Sequence, residues 1–153
     1  MGSQNLLGGR TILAVEDEAL VAMMLEDILE DAGCNVICVG HLAQATLLAR
    51  ERDIDAAVLD ENLHGQRSYA VADALAVRGI PFIFATGYGD KNLRKLYPGR
   101  PVIPKPYSQA DLVAALSTAI LQNQNAPVRL ENDPGIATDL QPVARTGTEG
   151  AKP

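Results

Sequence analysis

The chain has 153 residues and a formal net charge of −6, and 47% of its residues are hydrophobic although only 4% are aromatic. This length and composition predict one domain with a mostly aliphatic core and a shorter segment outside it. The acidic balance excludes the basic surface that nucleic-acid binding requires, and no apolar run reaches the roughly 20 residues that span a bilayer.

Apolar segments of β type alternate with segments of helical period along residues 10–122. We predict strands at residues 11–15, 35–39, 56–59, 81–85 and 101–103, and helices at residues 18–32, 42–52, 67–78, 90–96 and 108–122. Gly33 suits a left-handed stop after the first helix, and Ser108 with Asp111 forms a capping pair before the last. The alternation predicts an α/β fold, a doubly wound (βα)5 flavodoxin-like three-layer sandwich with parallel strand order 2-1-3-4-5.

The regular pattern has limits at both ends. We expect residues 1–9 to be a flexible lead-in, residues 10–122 to form the domain, and the Pro- and Gly-rich residues 123–153 to be a disordered tail. This tail is too short and polar for a typical output module. The first residues also lack the features of a secretory signal, so we expect a cytoplasmic location.

Two cysteines, Cys34 and Cys38, stand four residues apart on a predicted strand. About 13 Å would separate their Cα atoms, which is too far for a disulfide. We therefore expect both to be reduced core residues.

Four predicted strands are each followed by a residue suited to phosphate or metal chemistry. Glu16 and Asp17 follow the first strand and Asp60 the third, whereas Thr86 follows the fourth and Lys105 the fifth. Because the carboxyl ends of parallel strands lie along one edge of a sheet, these side chains should gather there. Together they can hold a divalent cation and a phosphoryl group.

The motifs around these residues resemble the response-regulator receiver domain of two-component signalling. They read Leu-Ala-Val-Glu-Asp-Glu at 13–18, Ala-Val-Leu-Asp at 57–60, Phe-Ala-Thr-Gly at 84–87 and Pro-Lys-Pro at 104–106. The resemblance covers residues 10–122. It is closest to receivers that carry a Phe-Ala-Thr-Gly sequence, which are common among stand-alone regulators and kinase-linked receivers.

The resemblance implies that Asp60 accepts a phosphoryl group from a sensor histidine kinase or a histidine phosphotransfer protein, forming an aspartyl phosphate. It also implies Mg²⁺, held by Asp17, Asp60 and the backbone carbonyl of Asn62, with Glu16 acting directly or through water. Lys105 would pair with Asp60 and then with the phosphoryl oxygens, and Thr86 would donate its hydroxyl to one of them.

A stand-alone receiver would signal through a downstream protein partner, or would serve as a phosphorelay or phosphate sink. It would catalyse only its own phosphorylation and dephosphorylation, and we expect a monomer or weak dimer.

The chain departs from the usual receiver at three places. Val102 stands where many receivers have an aromatic switch residue, and Tyr88 is a candidate substitute or a packing residue. His64 replaces a common proline and is interpreted as a loop residue rather than a metal ligand. Residues 90–96 make a poor helix, and we expect mobility there.

Two further features have two interpretations each. Glu61 is either a solvated loop residue or a residue that tunes the phosphoryl lifetime by its size. Leu20 and Met24 either form an exposed patch where a kinase docks, or are covered by the last helix or the lead-in.

Two other functions stay open. A small Mg²⁺-dependent phosphatase of the haloacid-dehalogenase type also uses an aspartyl nucleophile. Such enzymes have a second acidic residue two positions after the nucleophile, and this chain has Asn62 there, which counts against this function. A phosphorylation-independent pseudo-receiver scaffold usually lacks part of the acidic set or the lysine, and this chain keeps them all.

Overall fold

The centre of the molecule is a parallel sheet whose strands are apolar along most of their length. The computed structural model describes residues 5–87 and 91–124, without the side chain of Lys91. The five strands of the sheet are β1 (Thr11–Val15), β2 (Asn35–Val39), β3 (Ala56–Asp60), β6 (Phe82–Thr86) and β7 (Val102–Pro104). Two short strands between them, β4 (Asn62–Leu63) and β5 (Gln66–Arg67), form a separate antiparallel hairpin.

The sheet has the order β2-β1-β3-β6-β7, with all neighbours parallel. This is the predicted order 2-1-3-4-5 once the hairpin strands are left out of the count. The helices are α1 (Ala19–Asp31), α2 (Leu42–Glu51), α3 (Tyr69–Val77), α4 (Lys91–Leu96) and α5 (Gln109–Gln124). The predicted doubly wound (βα)5 sandwich is therefore confirmed.

Each face of the sheet packs against its own helices because successive strand residues point to opposite faces. On one face, Ile12 and Val58 pack in a cluster with Leu25 of α1 and Leu116 of α5. On the other face lies a second cluster, whose buried members include Leu13, Leu59, Phe84, Val71 and Leu75. The mostly aliphatic composition thus supplies two closed apolar layers, and the strand ends remain as the place for polar chemistry.

Local signals in the sequence set several helix ends. Gly33 follows α1 with a φ of 90°, as predicted for a left-handed stop. At the start of α5 the backbone N–H of Asp111 donates to Ser108 Oγ at 3.0 Å, and the Ser108 N–H donates to the Asp111 carboxylate at 3.4 Å. The predicted capping pair is therefore confirmed.

The packed domain includes residues before residue 10, and residues 1–4 of the predicted lead-in lie outside the described part of the chain. Leu7 is fully buried, and the Asn5 side chain donates a hydrogen bond to the carbonyl oxygen of Ala32 at 3.1 Å. Residues 5–9 therefore pack on the domain rather than forming a flexible lead-in. At the other end α5 continues to Gln124, and the predicted tail beyond it lies outside the described residues.

The two cysteines are both free thiols, but they differ in burial. Cys34 is buried in the core, as predicted, whereas Cys38 is exposed on the edge strand β2, so its predicted core position is wrong. Among the described residues, no helix has the length and apolar character needed to cross a membrane.

Candidate functional site

A cavity of about 780 Å³ lies at the carboxyl ends of β1, β3 and β6. Asp17, Asp60, Thr86 and Lys105 all line it, although they come from four separate parts of the chain. The parallel register places the ends of β1 and β3 side by side, since Val15 pairs with Leu59. The topology alone therefore brings the predicted site residues to one opening.

Three carboxylates meet at this opening. Glu16, Asp17 and Asp60 each present an oxygen, and these oxygens lie within 4.8 Å of one another. Glu16 and Asp60 are buried, with only 5% and 7% of their surface exposed. Buried like charges repel one another, so this cluster is suited to a cation.

Lys105 supplies a positive charge to the cluster. Its Nζ lies 2.7 Å from Glu16 Oε1 and 3.2 Å from Asp60 Oδ2. The Lys105 backbone N–H donates to the carbonyl oxygen of Thr86 at 2.8 Å, which fixes the start of the side chain beside β6. Burial opposes the charge, but the hydrogen bond to Glu16 and the charge of Asp60 outweigh it and raise the pKa of Lys105.

The pKa values of Asp60 and Asp17 are shifted in opposite directions. Burial and the charge of Glu16 raise the pKa of Asp60 to about 6, although Lys105 opposes them. Burial acts to raise the pKa of Asp17, but the hydrogen bond from the His64 backbone outweighs it together with further hydrogen bonds and the charge of His64, so this pKa lies below its ordinary value. Of these two carboxylates, Asp60 is therefore the one whose negative charge is less well compensated.

His64 lies beside Asp17 in the turn of the β4–β5 hairpin. Its backbone N–H donates to Asp17 Oδ2 at 2.8 Å, and its Nδ1 lies 3.6 Å from the same oxygen. The two turn residues, His64 and Gly65, have φ values of 50° and 84°, as a tight primed hairpin turn requires. His64 therefore anchors the hairpin to the site through its backbone, while its ring stacks on that of His41 at 5.4 Å.

Glu61 is buried, so its interpretation as a solvated loop residue is wrong. Its Oε1 accepts a hydrogen bond from Thr86 Oγ1 at 2.9 Å. Its Oε2 accepts one from Arg67 Nη1 at 2.7 Å and one from the Tyr69 hydroxyl at 3.4 Å. The sequence signal for this arrangement was the His-Gly turn, which folds Arg67 back beside Asn62 and delays the start of α3 to Tyr69.

Asn62 lines the same cavity, and its backbone N–H donates to Asp60 Oδ1 at 3.3 Å. The bend after β3 is therefore tied to the predicted nucleophile. The role of the Asn62 carbonyl as a metal ligand stays a prediction.

Val102, at the position of the usual aromatic switch, is half-buried in β7 and pairs with Phe84. Tyr97, which follows α4, is a further aromatic residue that packs against Phe84, and the sequence pattern does not single it out. Its ring centroid lies 5.2 Å from that of Phe84 and 5.8 Å from that of Tyr69. Tyr88, the predicted substitute, lies outside the described residues.

The first turns of α1 carry an apolar surface beside the cavity. Leu20 is 76% exposed and Met24 54% exposed, and Met23 between them is 60% exposed. The interpretation in which other elements cover Leu20 and Met24 is wrong for the described part of the chain. Their role in kinase docking stays a prediction.

Comparison with known proteins agrees with this geometry. The family model of the response regulator receiver domain matches residues 12–117. The solution structure of SdrG from Sphingomonas melonis Fr1 is 44% identical, with a TM-score of 0.65, over 73% of this chain and 97% of that chain. The receiver domain of the sensor histidine kinase PA1611 from Pseudomonas aeruginosa PAO1, solved with a magnesium ion in its active-site cleft, is 27% identical, with a TM-score of 0.65, over 74% of this chain and 98% of that chain.

A longer relative is the phyllosphere-induced regulator PhyR of Methylorubrum extorquens, which is 34% identical over 120 residues. The match covers 75% of this chain but only 45% of PhyR. Receiver domains are generally signalling domains rather than enzymes. The match over residues 12–117, together with the fold, shows that the chain belongs to the response regulator receiver domain family of two-component signalling.

Proposed function

We propose that Asp60 accepts a phosphoryl group from a sensor histidine kinase or a histidine phosphotransfer protein, in a Mg²⁺-dependent reaction. The observation that carries this proposal is the Lys105 ammonium, which lies 3.2 Å from Asp60 within a cluster of three carboxylates. In such a site the Lys105 ammonium can pair with the Asp60 carboxylate before the reaction and with an oxygen of the phosphoryl group after it.

The donor set fits Mg²⁺, which prefers oxygen ligands. Asp17 and Asp60, with the carbonyl of Asn62, would hold the ion, and Glu16 would act directly or through water. Mg²⁺ would neutralise negative charge on the phosphoryl oxygens. The ion coordinated in the cleft of the PA1611 receiver supports this assignment.

In the reaction, an Asp60 carboxylate oxygen attacks phosphorus while the bond from phosphorus to the donor imidazole nitrogen breaks. The electron pair of that bond leaves with the imidazole, and the phosphoryl group becomes an aspartyl phosphate. Lys105 pairs with a phosphoryl oxygen, and the Thr86 hydroxyl donates to another. Positioning and charge neutralisation carry most of this chemistry, and the described side chains supply both.

We infer that the signal then passes through protein contacts of the receiver itself, or onward as a phosphorelay or sink. The exposed apolar residues at the start of α1, Leu20 and Met24, lie beside the cavity and suit docking of a helical kinase or phosphotransfer domain. Tyr97, whose ring packs on those of Phe84 and Tyr69, is a readout candidate alongside Tyr88 and Val102.

A phosphorylation-independent scaffold is the second candidate function. The observation that favours it is the hydrogen bond that already holds the Thr86 hydroxyl on Glu61. In such a scaffold the site would keep one state whether or not a phosphoryl donor is present.

One experiment separates the two functions. The protein is incubated with acetyl phosphate and Mg²⁺, and with a panel of kinases, and mobility is read on a phosphate-affinity gel. We expect a shifted band for wild type and for Asp53→Asn, which changes an exposed acid before β3, and none for Asp60→Asn. A wild-type protein that never shifts would favour the scaffold, and an equal shift in Asp60→Asn would place the acceptor elsewhere.

A further inference from the structure

The Glu61 carboxylate is buried and accepts hydrogen bonds from three side chains. Thr86, Arg67 and Tyr69 all donate to its carboxylate, and only 6% of the residue surface is exposed. Buried carboxylates with several donors are fixed in position. The structure thus fixes this side chain at the cavity that the proposed acceptor, Asp60, also lines.

The Thr86 hydroxyl carries a single proton. In the structure this proton is directed at Glu61 Oε1, across 2.9 Å. Under the proposed function, on which this inference rests, the same proton must reach an oxygen of the phosphoryl group on Asp60. A hydroxyl donates one strong hydrogen bond at a time, so the two acceptors compete for it.

We propose that Glu61 is a built-in competitor of the phosphoryl group: its carboxylate retains the Thr86 hydroxyl and thereby lowers the affinity of the site for a phosphoryl group. Glu61 is a positioning residue in this scheme, because it acts through Thr86.

Charge works in the same direction as the hydrogen bond. Glu61 and Asp60 line the same cavity, so a phosphoryl group on Asp60 would bring further negative charge towards the Glu61 carboxylate. Like charges within a partly desolvated cavity repel, and the repulsion adds to the cost of moving Thr86.

Arg67 and Tyr69 allow Glu61 to release the Thr86 hydroxyl reversibly. When Thr86 turns away, Arg67 and Tyr69 still donate to Glu61, so the buried carboxylate keeps two of its three donors. The Arg67 side chain is 54% exposed and lines the cavity as well. Glu61 is therefore not left unpaired, and the unphosphorylated arrangement can form again when the phosphoryl group is lost.

The test uses beryllofluoride with Mg²⁺ as a phosphoryl analogue, titrated into the full chain and followed by ¹⁹F NMR. Glu61→Gln keeps the shape of the side chain but removes its charge, and Glu61→Met removes the acceptor as well. We expect both variants to bind about tenfold more tightly than wild type, because a charge-assisted hydrogen bond and a like charge are weakened or lost. The control is Glu18→Gln, which removes an exposed carboxylate from the same cavity and should bind like wild type.

The outcomes separate this inference from the proposed function. If wild type binds the analogue and neither Glu61 variant binds more tightly, the competitor role is wrong while the proposed function stands. If Glu18→Gln gains as much as Glu61→Gln, general charge rather than contact with Thr86 is responsible, and the competitor role is again wrong. If neither wild type nor the Glu61 variants bind, both proposals fall.

A variant that merely folds badly cannot bind beryllofluoride more tightly than wild type. A second measurement tests the competitor role in the wild-type protein alone. In ¹³C-labelled wild type, the Glu61 side-chain carboxyl resonance should move when the analogue binds, because the carboxylate loses the Thr86 donor. A bound analogue with an unmoved Glu61 resonance would overturn the competitor role.

Discussion

The cavity contains two clusters of polar side chains that differ in how well their charges are balanced. The acid–lysine cluster is composed of strand-end residues: Glu16, Asp17, Asp60 and Lys105. The glutamate–threonine cluster is composed of Glu61, Thr86, Arg67 and Tyr69, and the first three of these also line the cavity. In the first cluster, three carboxylates lie together and the Lys105 ammonium contacts two of them, whereas in the second cluster one carboxylate accepts hydrogen bonds from a guanidinium and two hydroxyls.

This difference shows what a ligand must do on each side. In the acid–lysine cluster, burial and the charge of Glu16 raise the pKa of Asp60 to about 6. An added cation would therefore reduce the repulsion between the carboxylates. In the glutamate–threonine cluster the hydrogen bonds are already made, so a ligand that needs Thr86 must first break one. The acid–lysine cluster therefore favours binding of a cation, whereas the glutamate–threonine cluster opposes binding of a ligand that needs the Thr86 hydroxyl.

The largest expected effect comes from removing the cation of the acid–lysine cluster. Lys105→Met leaves the buried carboxylates of Glu16 and Asp60 without their ammonium, and it should lower the free energy of unfolding by about 3 kcal/mol at pH 7. Urea denaturation measures this loss. The double variant with Asp60→Asn should be more stable than the sum of the two single-variant effects predicts, because Asp60 without Lys105 is a buried carboxylate with no ammonium beside it. Strictly additive effects would contradict the description of this cluster as one charge network.

Removing the Asp60 charge should have the opposite sign. Its pKa in the folded protein, about 6, lies above the ordinary value of 3.8 for an aspartate, so ionised Asp60 destabilises the fold above pH 6. Asp60→Asn should therefore raise the free energy of unfolding at pH 7 by about 1–2 kcal/mol, less than the full pKa difference implies because the cavity is open to solvent. Lys105 keeps its contact with Glu16 in this variant.

The pH dependence checks the cause. Between pH 7 and pH 5 the folded wild type takes up a proton on Asp60 that the unfolded chain does not yet bind, so wild type gains stability relative to Asp60→Asn. The advantage of the variant, measured by urea denaturation at both values, should shrink towards pH 5. An Asn variant that is less stable than wild type at pH 7 would show that the Lys105 contact outweighs the burial of Asp60.

The acid–lysine cluster was predictable because it depends on topology. Alternating strands and helices determine a parallel sheet, and a parallel sheet places the residues after its strands along one edge. Glu16, Asp17 and Lys105 follow strands and Asp60 is the last residue of one, so their meeting needed no knowledge of side-chain packing. The same reasoning placed Thr86 at this edge, but not the partner of its hydroxyl.

The glutamate–threonine cluster was not predictable in the same way because it depends on a turn. Glu61 follows β3, where an acid is usually solvated. Its burial requires Arg67 to return beside it, which the hairpin with its turn at His64 and Gly65 achieves. The sequence pattern placed Arg67 at the start of a helix, so the pairing of Glu61 with Arg67 was not predicted, although the His-Gly pair at 64 and 65 is a signal for the turn that makes it.

Tyr97 was missed for a related reason. It lies just beyond α4, in a segment that the sequence predicts to be a poor helix, and its role comes from contacts across the fold. Its hydroxyl donates to Asp73 Oδ1 at 2.7 Å and lies 3.3 Å from the carbonyl oxygen of Tyr69. These contacts extend the glutamate–threonine cluster through Tyr69 to α3 and α4.

The smallest expected effect tests that extension. Tyr97→Phe keeps the ring on Phe84 and removes only the hydroxyl, and it should lower the free energy of unfolding by about 1 kcal/mol. Because the hydroxyl ties the end of α4 to α3, amide exchange at 91–96, already expected to be faster than in α5, should become faster still. The control is Tyr107→Phe, since the structure gives the Tyr107 hydroxyl no hydrogen bond among the described residues, and exchange at 91–96 should not change. If Tyr97→Phe exchanges like wild type there, the glutamate–threonine cluster ends at Tyr69, and α4 does not sense the position of Thr86 through this contact.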